Sequence, residues 1–415
     1  IVDPPTPRSS LVSPQLNGIT FRPYQLHAVT HVLAHRRVAL QSPTASGKTE
    51  LGMDIIRHLG WPTLWITHRD GLLDQTRRRF LERLPEASVG NFSSEHGFPS
   101  TLITLGMVQT LANHARTYPD AWRRFCIVIF DEGHHVKADT WQAVGKACSS
   151  AIIRIALSGT LTAAMKDPVD CFRIEGLTGP LYTVSETMTL VAEGFVARPR
   201  IVMLAPDKMA YLDYPTVRRA VLPNWAGNPR QLATMGGKLY DYAYTHGVIQ
   251  NTARNQLILN TAWHHLRRYG DRVLVLLARR SHADLLYRWF TARRSDIAVF
   301  QLDGEDPGPT REATLQQFRT SSPAILFATP FFREGQDVPE IDVGILAGGG
   351  KSETDVLQGI GRMLRRRPDK EEVLIYDFTD GLDPDEPKDY LARHTRERLD
   401  TYARQGFAVE CPAWP

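Results

Sequence analysis

The stretch QGIGRMLRR at residues 358–366 contains one glutamine and two arginines, Gln358, Arg362 and Arg365, at spacings of four and three. These spacings predict that the three side chains share one face of a helix. A planar, always-charged guanidinium in such a position suits a phosphate that is being transferred better than a lysine does. Taken alone, an arginine-rich helix is typical of solvated surface, so its meaning depends on what else the chain carries.

A candidate phosphate-binding loop lies far upstream, at residues 42–49, with the sequence SPTASGKT. It ends in the G-K-[ST] pattern, follows an apolar strand at 38–41 and precedes an amphipathic helix. In such a loop the backbone N–H groups bind phosphates, Lys48 adds a positive charge and Thr49 offers a magnesium ligand. Ser42 occupies the place of the usual first glycine, and a chance loop is the alternative. The strand-loop-helix context favours phosphate binding, so the two segments are predicted to be halves of one ATP site.

Two carboxylates, Asp131 and Glu132, follow an apolar strand at residues 126–130. One can hold magnesium while its neighbour orients or deprotonates an attacking water. Strands commonly end in solvated acids, but a phosphate loop on the same predicted sheet favours the catalytic interpretation. His134 and His135 come next, and without a further cluster of ligands they are interpreted as hydrogen-bonding residues rather than as a metal site.

The composition limits the classes of protein to consider. The 415 residues predict two or three domains, and a net charge of +4 with a pI near 8.8 allows a polyanionic partner without demonstrating one. The four cysteines form no C-x-x-C pair, which argues against a structural zinc or disulfide framework and predicts a reducing, cytoplasmic compartment. No apolar run approaches the roughly 20 residues that span a bilayer, so no membrane partner is expected. Because the chain begins with Ile1, we expect the translated protein to start upstream.

Apolar strands alternate with amphipathic helices in two parts of the chain, and each part predicts an α/β domain with a parallel sheet covered on both faces. Ligands bind such sheets beyond the carboxyl ends of the strands, where each motif falls. Between the two parts the alternation fades; the aromatic residues there are interpreted as packing of a helical element, with a strand-separating wedge as the alternative. The predicted parts are a disordered lead-in at 1–18, a first lobe at 19–189, a helical connector at 190–260, a second lobe at 261–380 and a C-terminal helical tail at 381–415.

Taken together, these motifs resemble those of the superfamily 2 helicases, and the resemblance covers nearly the whole chain. The similar segments are 21–25 (the adenine-reading Q motif), 42–49 (motif I), 67–69 (motif Ia), 131–134 (a DExH box), 158–160 (in place of Ser-Ala-Thr), 328–339 (motif V) and 358–365 (motif VI). The resemblance implies two tandem RecA-like lobes, with ATP and magnesium in the cleft between them and DNA across their top.

The resemblance also implies roles for individual residues. Catalytic roles fall to Lys48, Asp131, Glu132, Gln358, Arg362 and Arg365. Nucleotide contacts fall to Arg22, Gln25, Thr44, Ser46, Gly47, Lys48, Thr49, Gly335 and Asp337, with magnesium held by Thr49 and Asp131. Nucleic-acid contacts fall to Arg69, Gln109, Arg280 and Thr329, and coupling between the sites to His134, Ser158 and Thr160. Taken singly, each of the four nucleic-acid residues is also typical of ordinary surface.

Within superfamily 2, the chain is similar to the branch of the type III restriction motor subunits, the XPB-type repair helicases and the phage UvsW-type helicases. The segments that carry this similarity are 22–25, 177–182, 194–199 and 361–370. It implies an ATP-dependent DNA helicase or duplex translocase, in DNA repair or recombination, that acts on single-stranded, forked or branched DNA. Its specificity is expected from a protein partner or a missing domain. The alternatives are an RNA helicase and an ATP-gated nucleic-acid clamp that does not unwind.

Overall fold

The computed structural model describes residues 15–115, 119–223, 234–293, 296–329, 338, 340–367 and 370–411. The contacts within the chain divide it into two units, with the boundary between Leu190 and Val191. No helix in the described ranges is long and apolar enough to cross a membrane.

The first unit is built on a sheet of seven strands, counted over its described residues. The strands are β1 (Arg37–Gln41), β2 (Thr63–Thr67), β3 (Val89–Asn91), β4 (Ile103–Met107), β5 (Ile127–Asp131), β6 (Ile153–Ser158) and β7 (Leu181–Thr183). They pair in parallel in the order β3-β4-β2-β5-β6-β1-β7. The helices are α1 (Pro23–His35), α2 (Lys48–Leu59), α3 (Asp70–Arg83), α4 (Val108–Asn113), α5 (Pro119–Trp122), α6 (Asp139–Ala147), α7 (Leu161–Ala164), α8 (Pro168–Thr178) and, across the boundary, α9 (Thr187–Ala192).

Both faces of this sheet are buried, because successive apolar residues of a strand enter different hydrophobic clusters. On β2, Trp65 packs into the cluster that contains α1 and α2, whereas Leu64 and Ile66 pack into the cluster that contains α4 and α6. Burial on both sides explains why these strands are continuous apolar runs in the sequence.

The start of the chain is partly packed against this unit. Residues 1–14 of the expected lead-in lie outside the described residues, but Leu16 is fully buried. Asn17 N donates to Arg83 O, and Arg83 Nη1 donates to Asn17 O, both at 2.9 Å. Leu16 and Asn17 therefore belong to the packed first unit.

The second unit also has a parallel sheet, with seven strands in its described part. The strands are β8 (Arg198–Leu204), β9 (Arg272–Leu276), β10 (Ala298–Leu302), β11 (Ala324–Ala328), β12 (Val343–Leu346), β13 (Glu372–Phe378) and β14 (Ala408–Glu410), in the order β10-β11-β9-β12-β13-β8-β14. The helices are α10 (Tyr214–Val221), α11 (Gly236–Tyr244), α12 (Thr252–Arg268), α13 (Arg280–Thr291), α14 (Gly308–Thr320), α15 (Glu353–Met363) and α16 (Tyr390–Arg404). A π-helical turn, Thr245–Ile249, joins α11 to α12.

The structure differs from the sequence-based expectation in the stretch 190–260, where a helical connector was predicted. Strand β8 lies there and pairs with β13 along its whole length, from Arg198 to Leu204. Pro199 concealed this strand, because proline is rare within sheets. It is tolerated here because β14 begins to pair at Arg200, so Pro199 lies outside the part of β8 that has neighbours on both sides. The rest of the described stretch is largely helical, as predicted.

The expected fold class is confirmed by these two units. Each has a parallel sheet with helices, and α16 is the expected C-terminal helix. Parallel order places the carboxyl ends of the strands along one edge of each sheet, and the predicted site residues must be sought at those edges.

Candidate functional site

The phosphate loop leaves the first sheet at the end of β1, where Ser42 N donates to Ser158 O at the end of β6 (2.9 Å). Two residues of the loop have left-handed backbone conformations, Ala45 with a φ of 68° and Gly47 with a φ of 85°. The loop then runs directly into α2, which begins at Lys48. Such a turn before a helix N-terminus presents backbone N–H groups to an anion, so the loop can bind phosphate groups.

The side chains of the loop brace it internally. Ser46 Oγ lies 2.6 Å from both Ser42 Oγ and Pro43 O. Lys48 Nζ donates to Ser42 O at 3.3 Å and to Pro43 O at 3.4 Å, which holds the ammonium over the loop. Ser42, a departure from the usual glycine, therefore has a structural use as the hydroxyl partner of Ser46.

The Q-motif glutamine is tied to the same loop. Gln25 Nε2 donates to Ser46 O (2.9 Å), and Gln25 Oε1 accepts from Arg22 N (2.9 Å). Tyr24 Oη also donates to Ser46 O (2.9 Å). A Cβ on Gly47 would lie 2.5 Å from Gln25 Nε2, so glycine is required for this approach. One N–H and one lone pair of the Gln25 amide remain for a base, and its predicted contact with adenine stays a prediction.

The two acidic residues lie where β5 ends. Asp131 is buried and its Oδ1 accepts from Glu132 N (3.0 Å). Burial, together with the neighbouring Glu132 carboxylate, raises the pKa of Asp131 to about 6, while Lys48 opposes the shift. Glu132 has a left-handed backbone (φ 52°), which turns the chain sharply after the strand. The site thus concentrates negative charge near Lys48.

This donor set fits a nucleotide with a magnesium ion. A divalent cation would offset the two acidic side chains, Asp131 and Glu132, which burial makes costly to ionise together. Magnesium takes one or two protein oxygens and completes its coordination shell with water and phosphate oxygens. The Asp131 carboxylate and the Thr49 hydroxyl can supply the protein oxygens. In the described part of the chain, no group of three or more His, Cys, Asp or Glu residues is arranged to hold a metal by itself.

The three predicted coupling residues lie together between the ends of β5 and β6. His134 Nδ1 lies 2.9 Å from Ser158 Oγ, which also accepts from Thr160 N (3.2 Å). The ring also faces Glu132, with 3.4 Å between His134 Nδ1 and Glu132 Oε2. His134 therefore has hydrogen-bonding partners, as the sequence predicted. The buried Thr160 Oγ1 has no hydrogen-bond partner among the described residues, which leaves one polar atom available to a ligand.

The second unit carries the arginine motif, and the structure corrects the prediction that its three side chains share one helical face. Gln358 and Arg362 do lie four residues apart on α15, and both are buried. Helix α15 ends at Met363, however, and Arg365 is half-buried beyond it. The chain leaves the helix there because residues 364 and 365 pair with 196 and 197: Ala197 N donates to Leu364 O (2.7 Å), and Val196 bridges to Arg365.

The predicted nucleic-acid residues all lie near strand ends, but in different environments. Arg69 and Gln109 are exposed in the first unit, after β2 and β4. Arg280 is exposed after β9 and forms an ion pair with Glu305 (2.9 Å). Thr329 is buried after β11, and its hydroxyl donates to Asp303 Oδ2 (3.0 Å). Gly335 and Asp337 lie outside the described residues, and the structure reports nothing on their predicted role.

Two of the aromatic residues between 211 and 244 support the packing interpretation. Tyr211 and Tyr244 are buried and donate to Asp380 Oδ1 (2.8 Å) and Gly348 O (2.6 Å). Trp225 lies outside the described residues.

Sequence reasoning missed a set of buried charges in the second unit, namely Arg254, Lys370, Asp377, Asp380 and Arg398. Lys370 Nζ donates to Met363 O (2.7 Å) and to Ile341 O, and so caps the carboxyl end of α15. A signal was present: Arg254 lies four and eight residues before Ile258 and Ala262, so a charge interrupts the apolar stripe of α12.

Two families of known proteins match the chain. The family described as "Type III restriction enzyme, res subunit" matches residues 18–163, and the family described as "Helicase conserved C-terminal domain" matches residues 240–367. The first match contains the phosphate loop and the DExH box, and the second contains the arginine motif. The two matches therefore cover the motif-bearing parts of both units.

Two relatives are similar along most of the chain. The DNA 3'-5' translocase XPB2 of Sulfurisphaera tokodaii is 25% identical over 407 residues, which cover 91% of this chain and 85% of that protein. The ATP-dependent DNA helicase uvsW of Enterobacteria phage T4 is 22% identical over 409 residues, which cover 92% of this chain and 75% of that protein.

A solved structure shares the fold. The ATP-dependent Type ISP restriction-modification enzyme LlaBIII bound to DNA superposes with a TM-score of 0.67 at 15% identity, over 93% of this chain. The present chain spans 30% of that chain's length. At this identity the likeness concerns the fold alone, and it confirms the predicted tandem RecA-like lobes.

Proposed function

Because this chain belongs to the superfamily 2 helicases, in the branch of the type III restriction motor subunits and the XPB and UvsW helicases, we propose that it is an ATP-dependent DNA helicase or duplex DNA translocase. Helicases of this family use ATP and act on nucleic acid, and the chain is an ATP-hydrolysing enzyme of that class. The preference for DNA over RNA rests on XPB2 and uvsW, both of which are described as acting on DNA.

One observation carries the proposal further than the family does. A continuous set of polar contacts runs from Glu132 through His134 to Ser158 and Thr160. It begins at Glu132, next to the Asp131 carboxylate that interacts with Lys48, and ends at Thr160, just after strand β6. A change in the charge beside Glu132 therefore has a short route through polar contacts to the end of β6. Such a route supports the proposed coupling between ATP hydrolysis and movement along DNA.

We assign the chemical roles as follows. Lys48 and the loop N–H groups bind the phosphates, and Thr49 and Asp131 would hold magnesium, which would supply positive charge to offset the charge of the phosphates. Glu132 orients or deprotonates the attacking water. Gln358, Arg362 and Arg365 are proposed to act on the same ATP and to stabilise charge in the transition state, as an arginine finger does.

The experiment is an ATPase assay of the full chain with no nucleic acid, single-stranded DNA, forked DNA, duplex DNA and RNA in parallel. Strand displacement is measured on the forked DNA and on a matched DNA–RNA hybrid. We expect ATP turnover to rise with DNA and to require magnesium. No stimulation by any nucleic acid would overturn the proposal.

The same assay separates the alternatives. RNA-stimulated turnover without DNA stimulation would indicate an RNA helicase, because the core motifs do not distinguish the two sugars. DNA-stimulated turnover with neither strand displacement nor movement along duplex DNA would indicate an ATP-gated clamp. Movement is read by displacement of a triplex-forming strand, which a translocase removes without separating the duplex.

A further inference from the structure

The loop that leads into α15, residues 347–350, is held through its carbonyl groups by side chains from three different helices. We call it the glycine loop. Its three contacts are Arg254 Nη1 to Ala347 O (2.9 Å), Tyr244 Oη to Gly348 O (2.6 Å) and Arg398 Nη1 to Gly350 O (3.0 Å). The donors lie on α12, α11 and α16, so distant parts of the second unit converge on this loop.

The two arginines belong to a buried cluster of four charges. Arg254 makes two hydrogen bonds to Asp380, from Nε to Oδ1 (2.7 Å) and from Nη2 to Oδ2 (3.1 Å). Arg398 Nε donates to Asp377 Oδ2 (2.8 Å). All four residues are at most 2% exposed. Two positive and two negative charges balance, and each guanidinium donates a further N–H to the glycine loop.

Both arginines of the cluster have a pKa raised above the usual value by the carboxylates beside them. Burial alone would lower the pKa of Arg254, but the Asp380 carboxylate outweighs it and raises that pKa. Burial and the charge of Arg254 lower the pKa of the adjacent His282 to about 3, so this ring stays neutral. The two arginines therefore act as permanently charged donors to the glycine loop.

The buried charge cluster is expected to fix the geometry of the glycine loop more than to increase the free energy of unfolding. Desolvation of two ion pairs largely cancels their attraction, so apolar residues of similar volume would stabilise a core at least as well. Directional bonds do what apolar packing cannot, because each fixes one carbonyl of the loop in one orientation.

The glycine loop sets where α15 begins. Ser352 follows the loop and caps the helix, with its Oγ accepting from Asp355 N (3.2 Å). Helix α15 packs directly on β12: Met363 of the helix lies so close to Gly344 of the strand that a Cβ there would have no room. The loop is left-handed at Gly349 (φ 60°), where a Cβ would lie 3.1 Å from Asp380 Oδ2. A shift of the loop is therefore passed on to the helix that carries Gln358 and Arg362.

We propose that Tyr244, Arg254 and Arg398 are positioning residues for ATP hydrolysis, which hold the glycine loop so that α15 places Arg362 correctly. This inference rests on the proposed function, and it extends the ATPase machinery past residue 367, where the family match ends. It gives the C-terminal helix α16 a positioning role in ATP hydrolysis, which no motif in its sequence indicates.

The experiment compares three variants of the full chain. Arg398→Lys keeps the charge but cannot reach both Asp377 and Gly350 with the same fork. Tyr244→Phe removes one hydroxyl and no charge. Arg396→Gln is the matched control, because Arg396 lies on the same helix and pairs with the exposed Asp385 (2.7 Å). Each variant is assayed for DNA-stimulated kcat, KM for ATP and Tm, well below its Tm.

We expect Arg398→Lys to lower kcat by about 10- to 100-fold, on the scale of a 1 Å misplacement, with KM for ATP nearly unchanged. Tyr244→Phe should lower kcat in the same way but less, and Arg396→Gln should match the parent. In an Arg362→Ala background, measured with enzyme in excess over ATP, Arg398→Lys should lower Tm but not the residual rate.

Two results would overturn the inference: parental kcat in both Arg398→Lys and Tyr244→Phe, or a loss that persists undiminished once Arg362 is alanine. If Arg398→Lys does not fold, Tyr244→Phe decides by the same criteria. A parental rate for Arg362→Ala itself would instead overturn the proposed role of that arginine. Failure of the inference and failure of the proposed function are thus distinguishable.

Discussion

The two units each place a loop between a buried strand and a helix, and the two loops are held in different ways. In the first unit, the phosphate loop at 42–49 is braced largely by its own residues: Ser42 and Ser46 share a hydrogen bond, and Lys48 binds two loop carbonyls. Two side chains that reach it from outside, Tyr24 and Gln25, lie about 20 positions away and both donate to Ser46 O. In the second unit, the glycine loop at 347–350 is held by residues from about 50 to 100 positions away in the chain.

This difference has a physical origin. A phosphate loop must leave its N–H groups open to a ligand, so its internal bonds run between neighbours along the chain. The glycine loop precedes a helix whose side chains, Gln358 and Arg362, are the proposed functional groups. The carbonyls of the loop can therefore be buried against the rest of the unit. Local bracing suits binding, whereas bracing from distant residues suits the placement of a rigid helix.

The largest effect should come from the arginines of the second unit. Arg362→Ala, Arg365→Ala and Arg365→Lys should each reduce DNA-stimulated ATPase, on the scale of about 10³–10⁵ for a lost arginine finger, while nucleotide binding survives better. Lysine lacks the planar fork, so the conservative change should not restore the rate. Arg366→Gln is the neighbouring control, since Arg366 is exposed and binds Gly194 O. Normal hydrolysis by all three variants would remove the second unit from the chemistry.

Glu132→Gln should have the next largest effect. The amide keeps the size of the side chain but cannot take a proton, so turnover should fall by roughly 10²–10⁴ with ATP affinity near normal. Nucleotide binding is measured with a fluorescent ATP analogue beside the hydrolysis rate. The control is Glu95→Gln, because the Glu95 side chain is 84% exposed. A folded variant that no longer binds nucleotide would show that Glu132 serves binding and not proton transfer.

Lys48→Ala tests the local bracing of the phosphate loop. It removes both the charge and the contacts to Ser42 O and Pro43 O, and we expect hydrolysis to fall by about 10²–10³, the scale of one lost preorganised donor, together with weaker ATP binding. Lys146→Ala, at an exposed position on α6, is the control. Hydrolysis by Lys48→Ala at the parental rate would show that residues 42–49 do not bind the phosphates.

The same contrast between local and distant contacts decides what the sequence could predict. The phosphate loop, the DExH box and the residues Gln358 and Arg362 each lie within a few consecutive positions, and the structure places them at strand ends or on the expected helix. Helix α15 ends early because residues 364 and 365 pair with residues 196 and 197, a contact that no periodicity reveals.

The buried charge cluster was missed for the same reason. Asp377 and Asp380 belong to an ordinary strand end, and Arg254 and Arg398 lie on helices that also carry exposed charges. Apart from Arg254, which interrupts the apolar stripe of α12, these residues have ordinary local contexts, and the cluster forms only when the fold brings them together. Strand β8 was not predicted for a different reason, because proline is rare within sheets. Pro199 is tolerated because it pairs with β13 on one side and lies before the residues that pair with β14.

A smaller effect is expected from Gly47→Ala, which strains the phosphate loop without removing a charge. The residue has a φ of 85°, and a Cβ would lie 2.5 Å from Gln25 Nε2, so the contact between Gln25 and Ser46 O must shift. A left-handed alanine costs about 1 kcal/mol or more. We expect a lower Tm and weaker ATP binding. Parental values of both would show that the approach of Gln25 to the loop is not needed.

The smallest effect should come from Gly159→Ala, which restores the alanine of the usual Ser-Ala-Thr motif. Gly159 has no left-handed backbone, and a Cβ there would lie 3.5 Å from Ser42 O and 3.7 Å from both Lys48 Nζ and Thr44 N, at ordinary contact distances. The new methyl group would reduce the conformational entropy of the unfolded chain. This stabilises a protein by roughly 0.4–1 kcal/mol where the native backbone is unstrained. We therefore expect a slightly higher Tm and a nearly parental ATPase rate. Gly47→Ala adds the same methyl group to the same loop region and serves as the comparison. If Gly159→Ala lost as much activity as Gly47→Ala, the phosphate loop would have to move into the space beside Gly159 when ATP binds.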